Sequence, residues 1–510
     1  MSIPLIGDLF YIIQHYLFET GLNNHIFLSR KKSRIRDKLI RHVSNESASI
    51  VCRSIELGKM LEEINTAKIF DVSVKNYGKF NTEQLYFLMW SLVFSDSVTE
   101  KTKKSLGNFI PANFPVKKPV VIPYNDSLEV ICDFIFQTAK VLSHKGFDVH
   151  LVPLANPISI FKLLRQETNK NDQFGFFNKN KINLDFPVIP FPLRLLKFKL
   201  IGEIGKKLSR YYAYYLIKLI KPDYLWCFDP ADFSFVEKLK GLTTTIYDCV
   251  DYFSTLDRKL EADIKSNEEK LIKAADYFFV NSRVLEKVKK VMKKPNSVVE
   301  QGFDYESFAT NKGISQREKK EIERLKRIIA KIPGPKIGFV GNITYRLNFS
   351  LLSSLTLKLP QVSFIFTDAF LSMPHDDRMI GTEKQIAELK KAKNVYFIPK
   401  THSRRVIKEI LKKIDIGMIP YNVKFDFNRY SYPMKLFEYF YLGKPVVSTP
   451  IEELRRFPDF VKIGNSVTEW ERIINELLSR QWPLTNKTEQ RRLAKENSWD
   501  NKINSILNLI

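Results

Sequence analysis

The sequence predicts an α/β protein in which two doubly wound parallel-sheet domains are joined by a linker and preceded by a mostly helical extension. Three observations predict it. From Lys118 onward, short β-branched or aromatic runs alternate with stretches of helical apolar period. The first such unit reads strand, helix, glycine, strand, and parallel neighbours need a helical crossover of this kind. A Lys- and Glu-rich segment, Asn311–Lys331, interrupts the alternation, which then resumes.

Residues 1–115 read as the extension. Apolar residues recur at helical spacing in Leu5–Leu17, Leu57–Ile64 and Gln84–Phe94, and a basic cluster runs from Arg30 to Arg41. No catalytic motif stands there, and Pro111–Pro119, with three prolines and two lysines, marks its end. The first domain, 116–310, has strands at Pro119–Pro123, Asp148–Leu154, Asp223–Cys227, Thr244–Asp248 and Tyr277–Val280. A helix over Ser127–Lys145 ends at Gly146, and His144 and His150 read as structural. A linker is expected at 311–335. The second domain, 336–490, has strands at Lys336–Val340, Val362–Phe366, Val395–Ile398, Ile416–Ile419 and Pro445–Ser448. A terminal helix, 491–510, is expected to pack back on the first domain.

The chain has 510 residues, 44% of them hydrophobic and 13% aromatic, and a formal charge of +25. That apolar content excludes a disordered chain, and 19 Gly and 24 Pro exclude a collagen-like one. Four scattered cysteines, Cys52, Cys132, Cys227 and Cys249, show no CxxC and read as reduced and buried. No apolar run reaches the length of a spanning helix, and Met1–Phe27 lacks the basic start of a signal peptide. The expected location is the cytoplasm. The charge calls for an anionic partner or for none, as a general basic composition. Nucleic acid is not the expected partner, since no recognition helix, zinc finger or RNA-binding motif appears.

The stretch from Ile416 to Thr449 carries the most chemistry. A buried strand ends in a loop holding Tyr421, Asp426, Asn428, Arg429 and Tyr430, followed by SYPMKLFEYFYLGKPVVST. Pro433 suits a first helical turn, Gly443 a helix stop, and Lys435 and Glu438 share a helical face. Ligands of open α/β sheets sit at the carboxyl ends of strands, where a helix N-terminus favours phosphate. Lys435 would neutralise a phosphate there and Glu438 accept hydrogen bonds from a ribose diol. The alternative reading of Lys-x-x-Glu is a solvated surface pair.

This stretch resembles the C-terminal signature of the glycosyltransferases built from two Rossmann-like domains facing a cleft, the GT-B architecture. It is similar in particular to bacterial enzymes that build exopolysaccharide and teichuronic-acid-type polymers. IYDCVDYFSTL with a following glutamate (Glu268 or Glu269), AADYFFVNSRVL, VEQGFDYESF, PKIGFVGNITYRLNFSLL, NVYFIPKTH, KIDIGMIPY and NSWDNKINSIL match in the family's order. The match runs from about Lys118 to the C-terminus.

The resemblance implies a transfer of sugar from a nucleotide-diphosphate sugar to a hydroxyl of a glycan or lipid-linked acceptor, in cell-surface polysaccharide biosynthesis. Glu438 matches the glutamate that binds the donor ribose, and Gly341 with Asn342 the glycine loop beside the diphosphate. Arg346 matches the basic position facing the phosphates, and Tyr421 the loop over the donor. His402, just after VYFI, is a candidate donor contact. Asp251, at the end of a strand in the acceptor domain, reads either as general base in an inverting reaction or as a cap of the next turn. Asn281–Ser282 read as helix caps. No cofactor is implied and no metal motif appears, basic side chains and helix dipoles taking the metal's place.

The sequence departs from the family pattern in places. Eight residues before Glu438, where relatives carry a first glutamate, stands Tyr430. Thr367–Asp368 and Pro399 replace glycines, and Tyr124–Ser127 replace the glycine-rich loop of the first domain. These departures keep a non-catalytic nucleotide-sugar-binding module, and an epimerase of the same fold, as alternatives. Finally, Lys162–Lys221 holds thirteen Lys/Arg against four Asp/Glu, interleaved with Leu, Phe and Tyr. It reads as a surface for an anionic membrane or as an ordinary helix with a solvated Lys face.

Overall fold

The computed structural model describes residues 118–510 apart from 127, 129–132, 160–174, 191, 255–257, 291–294, 311–313, 368–380, 400 and 402. The expected extension 1–115, Cys52, Cys132 and His402 therefore lie outside the described residues. The first-half strands are β1 (Pro119–Tyr124), β2 (Asp148–Pro153), β3 (Ile158–Ser159), β4 (Asn183–Leu184), β5 (Val188–Ile189), β6 (Tyr224–Cys227), β7 (Thr244–Cys249), β8 (Tyr277–Val280) and β9 (Ser297–Val298). Those of the second half are β10 (Lys336–Phe339), β11 (Ser363–Thr367), β12 (Val395–Ile398), β13 (Ile416–Ile419), β14 (Val446–Ser448) and β15 (Val461–Ile463). The principal helices are α1 (Asp133–His144), α2 (Lys199–Ile220), α3 (Arg258–Ala274), α4 (Gln316–Ala330), α5 (Arg404–Lys412), α6 (Lys435–Tyr441), α7 (Leu484–Glu496) and α8 (Trp499–Leu507).

The chain divides into two compact units, and the division cuts across the boundaries expected from sequence. One unit includes His150–Ile220. In it, β2 pairs in parallel with β4 through His150 and Leu151, and β3 pairs with β5. His150 is held by Asp185 at 2.7 Å, a structural role. Helix α2 buries Tyr212, Ala213, Leu216 and Ile217.

The other unit takes in Val120–Asn125, Glu129–Val149 and Lys221–Ile510. It carries two sets of parallel strands. One runs β1-β6-β7-β8-β9 and the other β12-β11-β10-β13-β14-β15. Both are apolar on both faces, as parallel strands covered by helices must be: Val120, Val121 and Ile122 of β1 and Phe364, Ile365 and Phe366 of β11 are fully buried. The second set has the 3-2-1-4-5-6 order of a doubly wound sheet, so its strand order reverses between β10 and β13.

The charged segment expected to be a linker is in large part helix. Ser315 and Glu318 form a capping box at the start of α4. Ile322, Leu325 and Ile329, spaced three and four apart, bury one face, and α4 packs on α5. The charges lie on the other face and hide that stripe in a composition count. The C-terminal region is two helices, because Asn497 ends α7 and Ser498 caps α8. Helix α8 packs on α1. Its Lys502 donates to Asp248, at the end of β7, at 3.0 Å and to the Val299 carbonyl at 3.3 Å, both groups being fully buried.

Candidate active site

The site begins with two glycines. Gly338 of β10 and Gly417 of β13 stand opposite one another at the point where the strand order reverses. A methyl group on Gly417 would lie 2.5 Å from the Tyr439 ring. The bare backbone lets α6 lie against the sheet, with the Tyr439 hydroxyl reaching the carbonyls of Gly338 (3.0 Å) and Met418 (3.2 Å). Gly443, in the left-handed region, ends the helix, as its position in the sequence predicts. Tyr439 thus fixes α6, and α6 carries Lys435 and Glu438.

Lys435 folds over Gly341, the residue just past β10. A Cβ on Gly341 would come within 2.6 Å of the Lys435 Nζ. The ammonium lies 5.0 Å from the Phe339 ring centre and faces the Tyr421 hydroxyl. The Gly341 N–H donates to Thr367 Oγ1 at 3.0 Å, so one replacement for a family glycine holds this loop by its hydroxyl. Asn342 is exposed and makes no hydrogen bond to the described residues. Burial pushes the Tyr421 phenol up, but Lys435 and Arg346 outweigh it and hold it below the usual range.

Arg346 is stacked in place. Its guanidinium lies 4.1 Å from the Phe427 ring centre and 4.7 Å from that of Tyr421, and its Nε donates to Asn428 Oδ1 at 3.0 Å. Asn428 is itself fixed, donating to the carbonyls of Arg346 and Asn422. The two terminal nitrogens of Arg346 have no acceptor among the described residues. An oriented guanidinium with two open nitrogens matches the oxygens of a diphosphate.

Glu438 is buried, which excludes the solvated-pair reading of Lys-x-x-Glu. Its partner is Arg404, whose Nη1 donates to it at 2.6 Å and whose Nη2 donates to Asp133 at 2.8 Å. Gln137 joins the cluster, donating to Asp304 Oδ2 at 3.2 Å. Burial raises the Glu438 carboxyl; Arg404 and Lys435 oppose this, while Asp133 and Asp304 add to it. Asp133, Glu438 and Asp304 in turn hold Arg404 firmly protonated. The sequence reading missed Arg404, Asp133, Gln137 and Asp304. One signal existed: Arg404 opens a helix, where the dipole disfavours a cation, so it needs an acidic partner.

Asp251 follows β7, and no backbone N–H among the described residues bonds its carboxylate, while 255–257 of the turn after it lie outside them. Burial pushes its carboxyl up to about 6, with Arg346 pulling it back. That value suits a group which exchanges protons near neutrality. The neighbouring Tyr252 meets Tyr430 edge-on at 5.2 Å, so the residue standing in place of the first family glutamate packs beside Asp251. Beneath lies a buried group in which Lys289 Nζ pairs with Glu268 at 2.5 Å and the Tyr247 hydroxyl donates to the same carboxylate at 3.0 Å. Asn281 braces the loop through the Val250 carbonyl at 2.6 Å, while Ser282 caps the helix Arg283–Lys289.

Asp251, Gly341, Arg346, Tyr421, Lys435 and Glu438 thus gather around strand ends of one unit, with Asn342 beside them. Among the described residues, no group of three or more His, Cys, Asp or Glu is arranged to hold a metal ion, and no helix is long and apolar enough to cross a membrane. Cys227 and Cys249 are buried free thiols.

No family model matches the chain. A curated Bacillus subtilis (strain 168) protein, TuaH, named for a glycosyltransferase role in teichuronic acid biosynthesis, is 26% identical over 293 residues, covering 54% of this chain and 68% of its own. Among solved structures, Anabaena Alr3699/HepE in complex with UDP-glucose superposes with a TM-score of 0.56 at 12% identity, over 77% of this chain and 100% of that one. Sucrose-phosphate synthase from Thermosynechococcus elongatus gives 0.55 at 12% identity, over 77% and 98%. The fold is the GT-B architecture of these solved structures, and the curated relative is named for the glycosyltransferase class. Within that class the sequence similarity is to the teichuronic acid protein, over about half of this chain.

Proposed function

We propose that the protein transfers a sugar from a UDP-sugar to a hydroxyl of a glycan or lipid-linked acceptor, in the assembly of a cell-surface polysaccharide. The observation that carries this reading is the convergence of Gly341, Arg346, Tyr421, Lys435 and Glu438 at the reversal between β10 and β13. Neighbours of the same fold hold UDP and UDP-glucose.

In this reading Arg346 and Lys435 bind the diphosphate and stabilise the charge that grows on it as the glycosidic bond breaks, without a divalent ion. The close approach at Gly341 keeps the Lys435 ammonium beside the leaving group. Glu438 accepts hydrogen bonds from the ribose diol, and Arg404 orients its carboxylate. Asp251 takes the proton of the acceptor hydroxyl, which is the inverting course. The anomeric configuration of the product, read by NMR, tests that step, since a retained configuration removes Asp251 as base.

Binding of UDP-, GDP- and dTDP-sugars by calorimetry, followed by nucleotide release in the presence of acceptors, tests the whole reading. Release from a UDP-sugar is the expected result. Nucleotide binding with no release from any donor would instead identify a binding module. Conversion of the sugar without an acceptor would identify an epimerase.

A further inference from the structure

We propose that the solvent face of α2, with the turn Leu193–Lys197 before it, docks on the surface of an anionic lipid bilayer. The inference goes beyond sugar transfer and rests on observations independent of it.

Among the described residues, six of the eleven exposed large apolar or aromatic side chains fall between 193 and 215. Leu200 is 75% exposed, Phe198 52%, Ile204 44% and Leu193 40%. Their spacing organises them. Leu200, Ile204, Lys207, Tyr211, Tyr215 and Lys218 recur at helical intervals and form one stripe, about 80° wide at 100° per residue. The opposite face is the buried one, with Tyr212, Ala213, Leu216 and Ile217. A helix of this kind normally shows water a polar stripe, and this one shows aliphatic side chains and tyrosines.

Charge identifies the occupant. Arg194, Lys197, Lys206, Lys207, Arg210 and Lys218 surround the stripe, and Glu203, bonded to Lys206 at 2.9 Å, is the lone acidic residue between 193 and 218. A second copy of this chain would bring the same cations against them. A soluble polyanion would satisfy the cations and leave the aliphatic groups in water. A bilayer with anionic headgroups meets both, the cations pairing with phosphates and the aliphatic groups entering the interface. The Tyr211 and Tyr215 rings, 4.7 Å apart with hydroxyls bonded at 2.9 Å, have the mixed polar and apolar character of headgroup-level side chains.

The test uses the full chain and vesicles of phosphatidylcholine, with or without phosphatidylglycerol. Co-sedimentation is expected with phosphatidylglycerol vesicles, falling as salt rises. Leu200→Glu/Ile204→Glu and Lys206→Glu/Lys207→Glu should each lower the partition about tenfold or more. These positions are exposed, so circular dichroism should leave both variants folded. Leu200→Trp supplies a second readout, a blue shift of its emission on binding. Equal binding to phosphatidylcholine, no binding, or binding unchanged in both variants would overturn the proposal. So would a soluble polyanion that competes while Leu200→Glu/Ile204→Glu binds normally, or self-association that this variant abolishes.

Discussion

Arg404 Nη1 lies 2.6 Å from Glu438, and Nη2 of the same guanidinium lies 2.8 Å from Asp133. One cation thus serves two carboxylates at very unequal separations along the chain, Asp133 being 271 residues away and Glu438 only 34. Removing it leaves Glu438 with only the more distant Lys435 to offset its charge and Asp133 with only a long 3.5 Å hydrogen bond from Gln137. Arg404→Ala is expected to lower stability by about 2–3 kcal/mol, less than a fully buried pair because the arginine is partly exposed. Urea unfolding measures it. A double-mutant cycle with Glu438→Gln should return a coupling of about 1–2 kcal/mol, and additive effects would refute the pairing.

Arg346 offers two open nitrogens, so its loss should weaken UDP binding by about 10–100-fold, equivalent to roughly 1.5–3 kcal/mol for charge-assisted hydrogen bonds. Arg346→Lys should recover only part, because an ammonium can neither chelate in a fork nor stack between two rings. Calorimetry with UDP distinguishes the two variants. Equal affinity of lysine and wild type would count against a chelating role.

Gly341→Ala places a methyl group 2.3 Å from Lys435 Cε. The lysine side chain is flexible and can move, but φ at Gly341 is +157°, a conformation L side chains rarely adopt, so stability should fall by about 1–3 kcal/mol. Displacing the ammonium should weaken UDP binding about tenfold. A thermal melt beside a binding curve separates these effects, and unchanged affinity would remove Lys435 from the phosphate site.

As the proposed base, Asp251 would join activity to stability with opposite signs. Its carboxyl, ordinarily near 3.8, is raised by burial to about 6, so the folded state holds the proton more tightly than the unfolded chain. Stability from this group therefore falls as pH rises from 3.8 to 6, and the full penalty stands above pH 6. Asp251→Asn removes that penalty and should stabilise the protein by about 1–2 kcal/mol at neutral pH. The same change should lower kcat about a hundredfold or more. In the wild type, kcat/KM should rise with pH through about 6, and that inflection should vanish in the variant.

Much of this fold can be read from the chain alone. Tyr277–Val280 and Ile416–Ile419 run as strands over the bounds their apolar character suggests, because parallel strands are buried on both faces, and the half-buried edge strand Val395–Ile398 keeps its expected bounds too. Asn183–Leu184 and Ser297–Val298 are two residues each and leave no periodic trace. The stripe of α4 was hidden by its own charges. At the site, residues that follow a strand were legible, since topology puts ligands at strand ends. Arg404 was not, because its choice of Asp133 depends on tertiary packing across 271 residues.

The pairing of Lys502 with Asp248 bears on how the protein is made. Asp248 sits near the end of its strand, and the ammonium that neutralises it is synthesised 254 residues later. Until then the aspartate must take a proton, stay hydrated or keep its strand from packing fully. This pairing of the first sheet is therefore completed only once residue 502 has been made, and a chaperone that shields this strand end has most to act on in nascent chains that stop short of it.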